Sequence, residues 1–425
     1  MTANNKSPIT NNPQKVQRRL RVLLSAYACC PHHGSEPEVG WAFSKALAAH
    51  HDVWVLTRTA HRERIEKELQ QRPVQGLRFL YYDPPELFGW GSHGGVRMQV
   101  HSYCWQLLAV SKVWNFHREL GFDIAHHVTF AKYWAPSCLA WLPVPFVWGP
   151  VGGAEVTPRG LLSALTWKER ALERLKQIAA RAGELDPFVR KTARRADRVF
   201  ASTEETAVRL RRMGCSRVEV MTQIGVEAGL ITSGESRAGA CRFISIGRLI
   251  HWKGFLLGLQ AFSSFRTKDS EYWIVGDGPS RASMERFVAE RGLQNQVKFF
   301  GSLSRTETEE RLAAADVLVH PSFHDSAGLV CLEAMAVGKP VVCLNTGGPA
   351  GLIDDSCGIR IAAGSAAEVR DGLCAAMSRL ASDPVLRQRM GLAAQERVRN
   401  CFDWKKKAEW MSRCYIDLAE CGETF

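Results

Sequence analysis

The sequence predicts an α/β fold of two Rossmann-like domains facing each other across a cleft. The chain's 425 residues exceed one ordinary hydrophobic core. Its first half alternates short β-branched runs with helical patterns, the rhythm of an open, mostly parallel sheet covered on both faces. After an apolar-poor break at Thr232–Ala240 (TSGESRAGA), the same rhythm begins again.

The first eighteen residues are polar and Asn-rich with no apolar h-region, and read as a disordered basic lead-in. RVLLSAY (Arg21–Tyr27) is an apolar strand, followed by a loop and the helix GWAFSKALAAH. DVWVLTR, a helix through Glu66, LRFLYYD, and a long helical stretch from about Val96 to Leu120 come next. DIAHHVTF, PFVWG, a basic helical region, DRVFAST and VEVM complete the first unit. The second runs CRFISIGR, a helix from about Phe255, EYWIVGDG, a helix through Arg291, VKFFGSL, a strand at Asp316–His320, a helix after Gly328, and PVVCLN. An amphipathic helix, Trp404–Leu418, closes the chain. The expected divisions are a lead-in at 1–18, a first domain at 19–235, a second at 236–400 and a C-terminal tail at 401–425.

Composition is globular, 46% hydrophobic and 23% charged. The thirteen cysteines form no C-x-x-C pair, and residues such as Cys331 and Cys343 sit inside apolar patterns. That argues against a zinc site or a secreted disulfide framework and favours the cytoplasm. The uncharged run Tyr133–Ala154 contains Pro136, Pro143, Pro145 and Pro150, so it reads as helix, buried strand (Pro145–Trp148) and Gly-rich loop, not as a membrane span. The net charge is +12, and ten Lys or Arg residues lie between Lys168 and Arg198 against five acids. The spacing is helical and leaves an apolar set at Leu161, Leu165, Leu172, Leu175 and Ile178. Two readings stand level: a solvated helix face, or docking of 168–198 on an anionic membrane leaflet at about 1 kcal/mol per basic residue. No nucleic-acid module accompanies the charge, so nucleic acid is not an expected partner.

The chemistry concentrates in PSFHDSAGLVCLEAMAVGKPVV, which sets Asp325 and Glu333 eight positions apart across a loop opening into a helix. Gly328, Leu329 and Val330 fall at that helix's N-terminus, where unpaired N–H groups and the positive dipole end suit a phosphate. Ionised carboxylates only accept hydrogen bonds, so the two acids suit sugar and ribose hydroxyls. Arg248 and Lys253 follow the strand-ending Gly247, and two cations there can stabilise a departing diphosphate. Gly276-Asp277-Gly278-Pro279 ends the next strand at the crevice where open α/β sheets bind ligands. Asn345, Gly347 and Gly348 form a further turn.

In the first half, Gly34 and Gly40 bracket a loop suited to close approach by phosphate or sugar. No G-x-G-x-x-G spacing occurs there, which disfavours NAD. Glu36 and Glu38 either bind acceptor hydroxyls or favour the dipole end of the following helix. His126 and His127 end the strand DIAHHV beside the expected cleft; side chains alternate faces, so one of them faces the core.

The order GRLxxxKG, GDGP and D-x7-E resembles the retaining, nucleotide-sugar-dependent glycosyltransferases of family 4, which share the GT-B fold. The resemblance covers most of residues 19–418. The family's first Glu of the E-x7-E element is Asp325 here, shorter by roughly 1.5 Å of reach. The resemblance implies transfer of a hexose from a nucleoside diphosphate sugar to an acceptor hydroxyl, with retention and a same-face, internal-return-like mechanism. Arg248, Lys253 and the Gly328–Leu329 amides would stabilise the diphosphate, Asp325 orient the sugar and Glu333 the ribose, with Gly247, Gly276, Asp277 and Gly278 lining the donor site. His127, with His126 close behind, matches a family histidine that contacts the donor sugar or shapes the reaction centre. Gly152 and Gly153 belong to a loop expected to face the acceptor, as do Gly34, Glu36 and Gly40. The terminal helix is expected to cross back onto the first domain. No D-x-D pair lies at a strand end, since Asp354-Asp355 comes too late, and no metal is expected. The implied partners are a nucleotide sugar and a glycan or lipid-linked acceptor of exopolysaccharide, lipopolysaccharide or lipid-linked glycan assembly. The rivals are a nucleotide-sugar epimerase and a catalytically inactive scaffold within a polysaccharide-assembly complex.

Overall fold

Two parallel sheets organise the chain in a computed structural model, which describes residues 18–85, 96–227, 241–265 and 270–422. The first sheet comprises β1 (Arg21–Ala26), β2 (Asp52–Thr57), β3 (Leu77–Tyr81), β4 (Ile124–Thr129), β5 (Phe146–Val151), β6 (Arg198–Ala201) and β7 (Val218–Val220), in the order β3-β2-β1-β4-β5-β6-β7. The second comprises β8 (Arg242–Ile246), β9 (Glu271–Val275), β10 (Val297–Gly301), β11 (Val317–His320), β12 (Val341–Leu344) and β13 (Gly358–Ile361), in the order β10-β9-β8-β11-β12-β13. Every residue of β4, β5, β11 and β12 is buried, which is why β5 and β12 read as continuous apolar runs. In each sheet the strand order reverses once, between β1 and β4 and between β8 and β11, and open α/β sheets bind ligands at such points.

The helices of the first half are α1 (Ser35–Ala48), α2 (Arg62–Gln71), α3 (Val96–Leu108), α4 (Val110–Leu120), α5 (Trp167–Gly183), α6 (Pro187–Arg195) and α7 (Glu204–Arg212). Those of the second are α8 (Phe255–Phe265), α9 (Arg281–Glu290), α10 (Arg305–Ala314), α11 (Leu329–Ala336), α12 (Gly347–Leu352), α13 (Ala366–Ser382), α14 (Pro384–Arg397) and α15 (Trp404–Gly422). The Thr166/Glu169, Ser304/Glu307 and Ser365/Glu368 capping boxes fix the starts of α5, α10 and α13 by satisfying first-turn N–H groups. The single helix expected from Val96 to Leu120 is two, meeting at Ala109. The helix expected after Tyr133 reduces to a 3-10 turn at Cys138–Trp141, because Pro136 and Pro143 confine the chain and Ser137 caps Leu139. The expected boundary at 235/236 and nearly all of the lead-in lie outside the described residues.

One core layer holds Leu23, Tyr27, Trp105, Phe146 and Trp148 on one face of the first sheet. A second begins on the other face with Val22, Leu24, Val53 and Val55 and continues through Phe402, Trp404 and Tyr415 to Ile244, Leu332 and Met335 of the second half. The terminal helix joins them: α15 packs on α1, Tyr415 meets His126 edge-on, and Trp410 meets Phe200. The two crossing strands of chain are tied where Val226 N–H donates to Phe402 O at 2.9 Å and Trp404 N–H to Val226 O at 3.1 Å. The third layer, built on Phe243, Phe262 and Tyr272, also takes in Leu161 and Leu165. The 3-10 turn Arg159–Ala164 thus anchors the start of the basic helical region in the second half's core, across the simple division at 235. No helix among the described residues is long and apolar enough to cross a membrane.

Candidate functional site

The loops after β8, β9 and β11 meet at the second sheet's reversal point and are locked backbone to backbone. Leu249 N–H donates to Asp277 O at 2.9 Å, Gly247 N–H to Val275 O at 3.0 Å, and Phe323 N–H to Trp252 O at 2.7 Å. Gly276, at φ 127°, lies against Gly247, where a Cβ would meet the Gly247 carbonyl oxygen at 2.0 Å. Only glycine fits that approach. Asp277 is exposed and spends its carboxylate locally, on Gly278 N–H (2.7 Å) and Arg281 (3.2 Å).

Asp325 is the hub. Its Oδ2 accepts from Lys253 Nζ at 2.6 Å and stands 3.3 Å from His320 Nε2, while Oδ1 accepts from the N–H groups of Ala327 and Gly328, each at 3.2 Å. Burial would raise its carboxyl, but His320 and Lys253 outweigh burial and hold it well below the usual carboxylate range. The expectation that Gly328's amide is free for a phosphate is therefore corrected, because that N–H already serves Asp325. Among the described residues the N–H groups of Leu329 and Val330, in the first turn of α11, have no protein partner. Arg248 is exposed and makes no ion pair among the described residues, so one cation at this crevice is uncommitted. Glu333 lies further along α11 and pairs with Arg305 Nη1 at 2.6 Å; burial pushes its carboxyl up while Arg305 opposes the rise. Asn345 N–H pairs with Ile361 O at 2.7 Å, and Gly348 N–H with Asp325 O at 2.7 Å, so the turn after β12 braces the Asp325 loop.

The first half closes onto this hub. A Cβ on Gly152 would meet Ser326 Cβ at 3.3 Å, which brings the turn after β5 against the Asp325 loop. Beside it Ser326 Oγ donates to Glu155 Oε2 at 2.5 Å, and Gly153 N–H donates to the same oxygen at 3.0 Å. Thr203 and Thr206 hydroxyls donate to Glu155 Oε1 at 2.7 and 2.9 Å. Burial raises the Glu155 carboxyl, but Ser326, Thr203 and Thr206 more than offset it and keep the group ionised. From α5, Glu173 reaches the same loops: its carboxylate lies 3.3 Å from His324 Nε2 and 3.6 Å from His251 Nε2. Burial would raise Glu173 too, yet His324 and Lys176 bring it down to about 2. Lys176 Nζ sits 4.4 Å over the Trp252 ring, which stacks on His324.

Of the remaining first-half candidates, His126, His127, Glu36 and Gly40 are engaged by the protein's own groups. His126 and His127 are fully buried. His126 Nε2–H donates to Gly149 O at 2.6 Å and Nδ1 meets the Tyr415 hydroxyl; His127 Nε2–H donates to Thr129 O at 3.0 Å. Burial lowers their pKa values to about 3 and about 4. Glu36 Oε1 accepts from Phe130 N–H at 2.6 Å and so fixes the end of β4. Gly40 is buried where a Cβ would meet Ala28 O at 2.3 Å, while Gly34, at φ 66° before α1, faces open space. Glu155, Glu173, His320 and Ser326 were not singled out from sequence. Only His320, a strand-end histidine five positions before Asp325, offered a local signal.

Residues 234–397 match the family described as Glycosyl transferases group 1, and residues 36–222 match the Glycosyl transferase 4-like domain. The lipopolysaccharide core biosynthesis glycosyltransferase LpsD of Rhizobium meliloti (strain 1021) is 31% identical over 189 residues, 44% of this chain and 52% of that protein. A D-inositol 3-phosphate glycosyltransferase of Streptomyces bingchenggensis (strain BCW-1) is 26% identical over 72% of this chain and 69% of its own length. The chain spans about half the length, or less, of the first relatives it matches. Sucrose-phosphate synthase from Thermosynechococcus elongatus shares the fold at a TM-score of 0.64 and 20% identity, over 95% of this chain and all of that one. HepE from Anabaena, solved with UDP and glucose, does so at 0.61 and 18%, over 93% and 99% of the two chains.

Proposed function

Starting from a chain that belongs to the group 1 glycosyl transferases and has the GT-B fold, we propose that it moves a hexose from a nucleoside diphosphate sugar to an acceptor hydroxyl with retention of configuration. The observation that carries this reading is the pair of cations at the β8/β11 reversal: Arg248 uncommitted, Lys253 held by Asp325, and the Leu329 and Val330 amides beside them. A diphosphate leaving group gathers charge as the glycosidic bond breaks. Fixed cations and amides stabilise that charge without moving a proton. In this proposal Glu333 takes the ribose hydroxyls, displacing Arg305. Asp325 stands at the sugar end and fixes Lys253, and the leaving phosphate accepts the acceptor's proton on the same face. Arg248 and Lys253 supply the charge that a metal would otherwise supply, so turnover is proposed to be metal-independent.

The acceptor enters from the first half, past the turn at Gly152 and Gly153. HepE solved with UDP and UDP-glucose supports a nucleotide sugar as donor, and LpsD supports a glycan or lipid-linked acceptor in surface polysaccharide assembly. The cysteines, nine of them buried, suit the reducing cytoplasm.

The test is calorimetric titration with a panel of nucleoside diphosphates and their sugars, with and without chelator, followed by transfer assays with the sugar that binds. Chelator-insensitive binding of one nucleotide sugar, weakened in Glu333→Ala, supports the reading. Failure to bind any member of the panel overturns it and favours an inactive scaffold.

A further inference from the structure

The apolar residues expected on one face of the basic region part company in the structure. Leu161 and Leu165 are buried, whereas Leu172, Leu175 and Ile178 of α5 are 46%, 63% and 64% exposed and Trp167 is 70% exposed. At helical spacing Trp167, Ile178, Leu175 and Leu172 fall within one arc of about 140°. Glu173 lies away from that arc and docks on the second half's loops; Arg170, Arg174 and Arg181 border its Trp167 edge, and Lys168 falls within it. Beyond the short turn that ends α5, Leu185, Pro187, Arg190, Lys191, Arg194 and Arg195 line an open groove of about 550 Å³.

The acids of this region are engaged by the protein's own groups. Glu169 closes the Thr166 capping box, Glu173 is buried, and Glu184 pairs with Arg209 at 3.2 Å. Asp186 caps α6, and Asp197 pairs with Arg195 at 3.0 Å. By contrast, Lys168, Arg170, Arg174, Arg181, Arg190, Lys191 and Arg194 form no ion pair among the described residues. Folding therefore leaves this surface more basic than its sequence.

We propose that this surface seats the protein on an anionic bilayer. The Trp167–Leu172–Leu175–Ile178 arc enters the boundary between headgroups and acyl chains, and the α6 groove takes lipid phosphates. An exposed apolar arc beside uncommitted cations is the pattern of an interfacial helix. A second copy packed symmetrically is disfavoured because it would set like charges face to face. Leu161, Leu165 and Glu173 hold α5 against the second half, so a bound α5 brings the Asp325 crevice close to the lipid surface. This last point rests on the proposed glycosyl transfer; the docking itself does not.

The test is flotation of the whole protein with phosphatidylcholine vesicles and with vesicles also containing phosphatidylglycerol, alongside nucleotide titration in solution. Binding is expected only to the anionic vesicles and is expected to weaken with salt. Leu175→Ser with Ile178→Ser should lower vesicle affinity at least about tenfold, and Arg190→Gln with Arg194→Gln about twenty-fivefold, fivefold per cation. Nucleotide affinity and melting temperature should stay as in the wild type, which separates failure of docking from failure of the donor site. No binding to anionic vesicles at low salt overturns the proposal. So does full binding by both double variants, or a lipid-free dimer that the Leu175/Ile178 variant dissolves.

Discussion

Lys253 Nζ lies 2.6 Å from Asp325 Oδ2, and this contact joins the loop after β8 to the loop after β11 at the mouth of α11. In the proposed mechanism this ammonium and Arg248 bind the departing diphosphate. Lys253→Ala should lower the transfer rate at least about 100-fold, in line with the removal of one group that stabilises a developing anion. It should also lower the melting temperature, because Asp325 keeps only His320 and two amides. A variant with wild-type turnover would remove Lys253 from the mechanism.

Glu333 is paired with Arg305, whose side chain is 59% exposed and also pairs with Glu309 at 2.5 Å. If ribose hydroxyls take over that carboxylate, Glu333→Ala should weaken nucleoside diphosphate binding about 10- to 100-fold, the worth of hydrogen bonds to a charged group. Arg305→Gln should change it by less than about threefold, since its ion pair is given up on binding. Calorimetry on both variants checks this, and equal losses would mean that the ion pair itself is the binding feature.

The order of strands, loops and helices in the second half was legible because it is local. Arg248 and Lys253 are separated by five positions, and Asp325 and Glu333 by eight, so strand-loop-helix order places each pair at one crevice. What could not be read is long-range. Ser326 meets Glu155 from 171 positions away, and Tyr415 covers His126 from 289. Alternation along β4 says that neighbouring side chains face opposite ways. It does not say that both faces are covered, and α15 covers one of them. Likewise, helical spacing alone gives Leu165 and Leu175 the same character; only docking of the Arg159–Ala164 turn buries the first and leaves the second in solvent.

Glu155 gathers four donors, from Ser326, Thr203, Thr206 and Gly153. Glu155→Ala leaves them unpaired in a buried place and should cost about 3 kcal/mol. Ser326→Ala removes only the link between halves and should cost about 1 kcal/mol. Its effect should fall on function as a higher KM for the donor, because the crevice closes less firmly. Denaturant titration and steady-state kinetics on the two variants distinguish these outcomes; an unchanged KM in Ser326→Ala would make the link incidental.

His126 and His127 should make the protein acid-labile. Burial lowers their folded pKa values to about 3 and about 4, whereas an unfolded histidine titrates near 6.5. Between those limits the unfolded chain binds protons that the folded chain refuses, so stability falls as pH drops below about 6.5. The loss is about 1.4 kcal/mol per pH unit for each histidine, and ends once pH passes below the folded values. Proton uptake at His126 Nδ1 would also remove its ability to accept from Tyr415, the contact that fastens α15 to β4. His126→Gln keeps a donor for Gly149 O and cannot titrate, so its urea midpoint should fall less steeply from pH 6.5 to 4.5, by one proton's worth of slope. Parallel slopes in the two proteins would show that His126 is already protonated when folded, and that the Tyr415 hydroxyl accepts rather than donates.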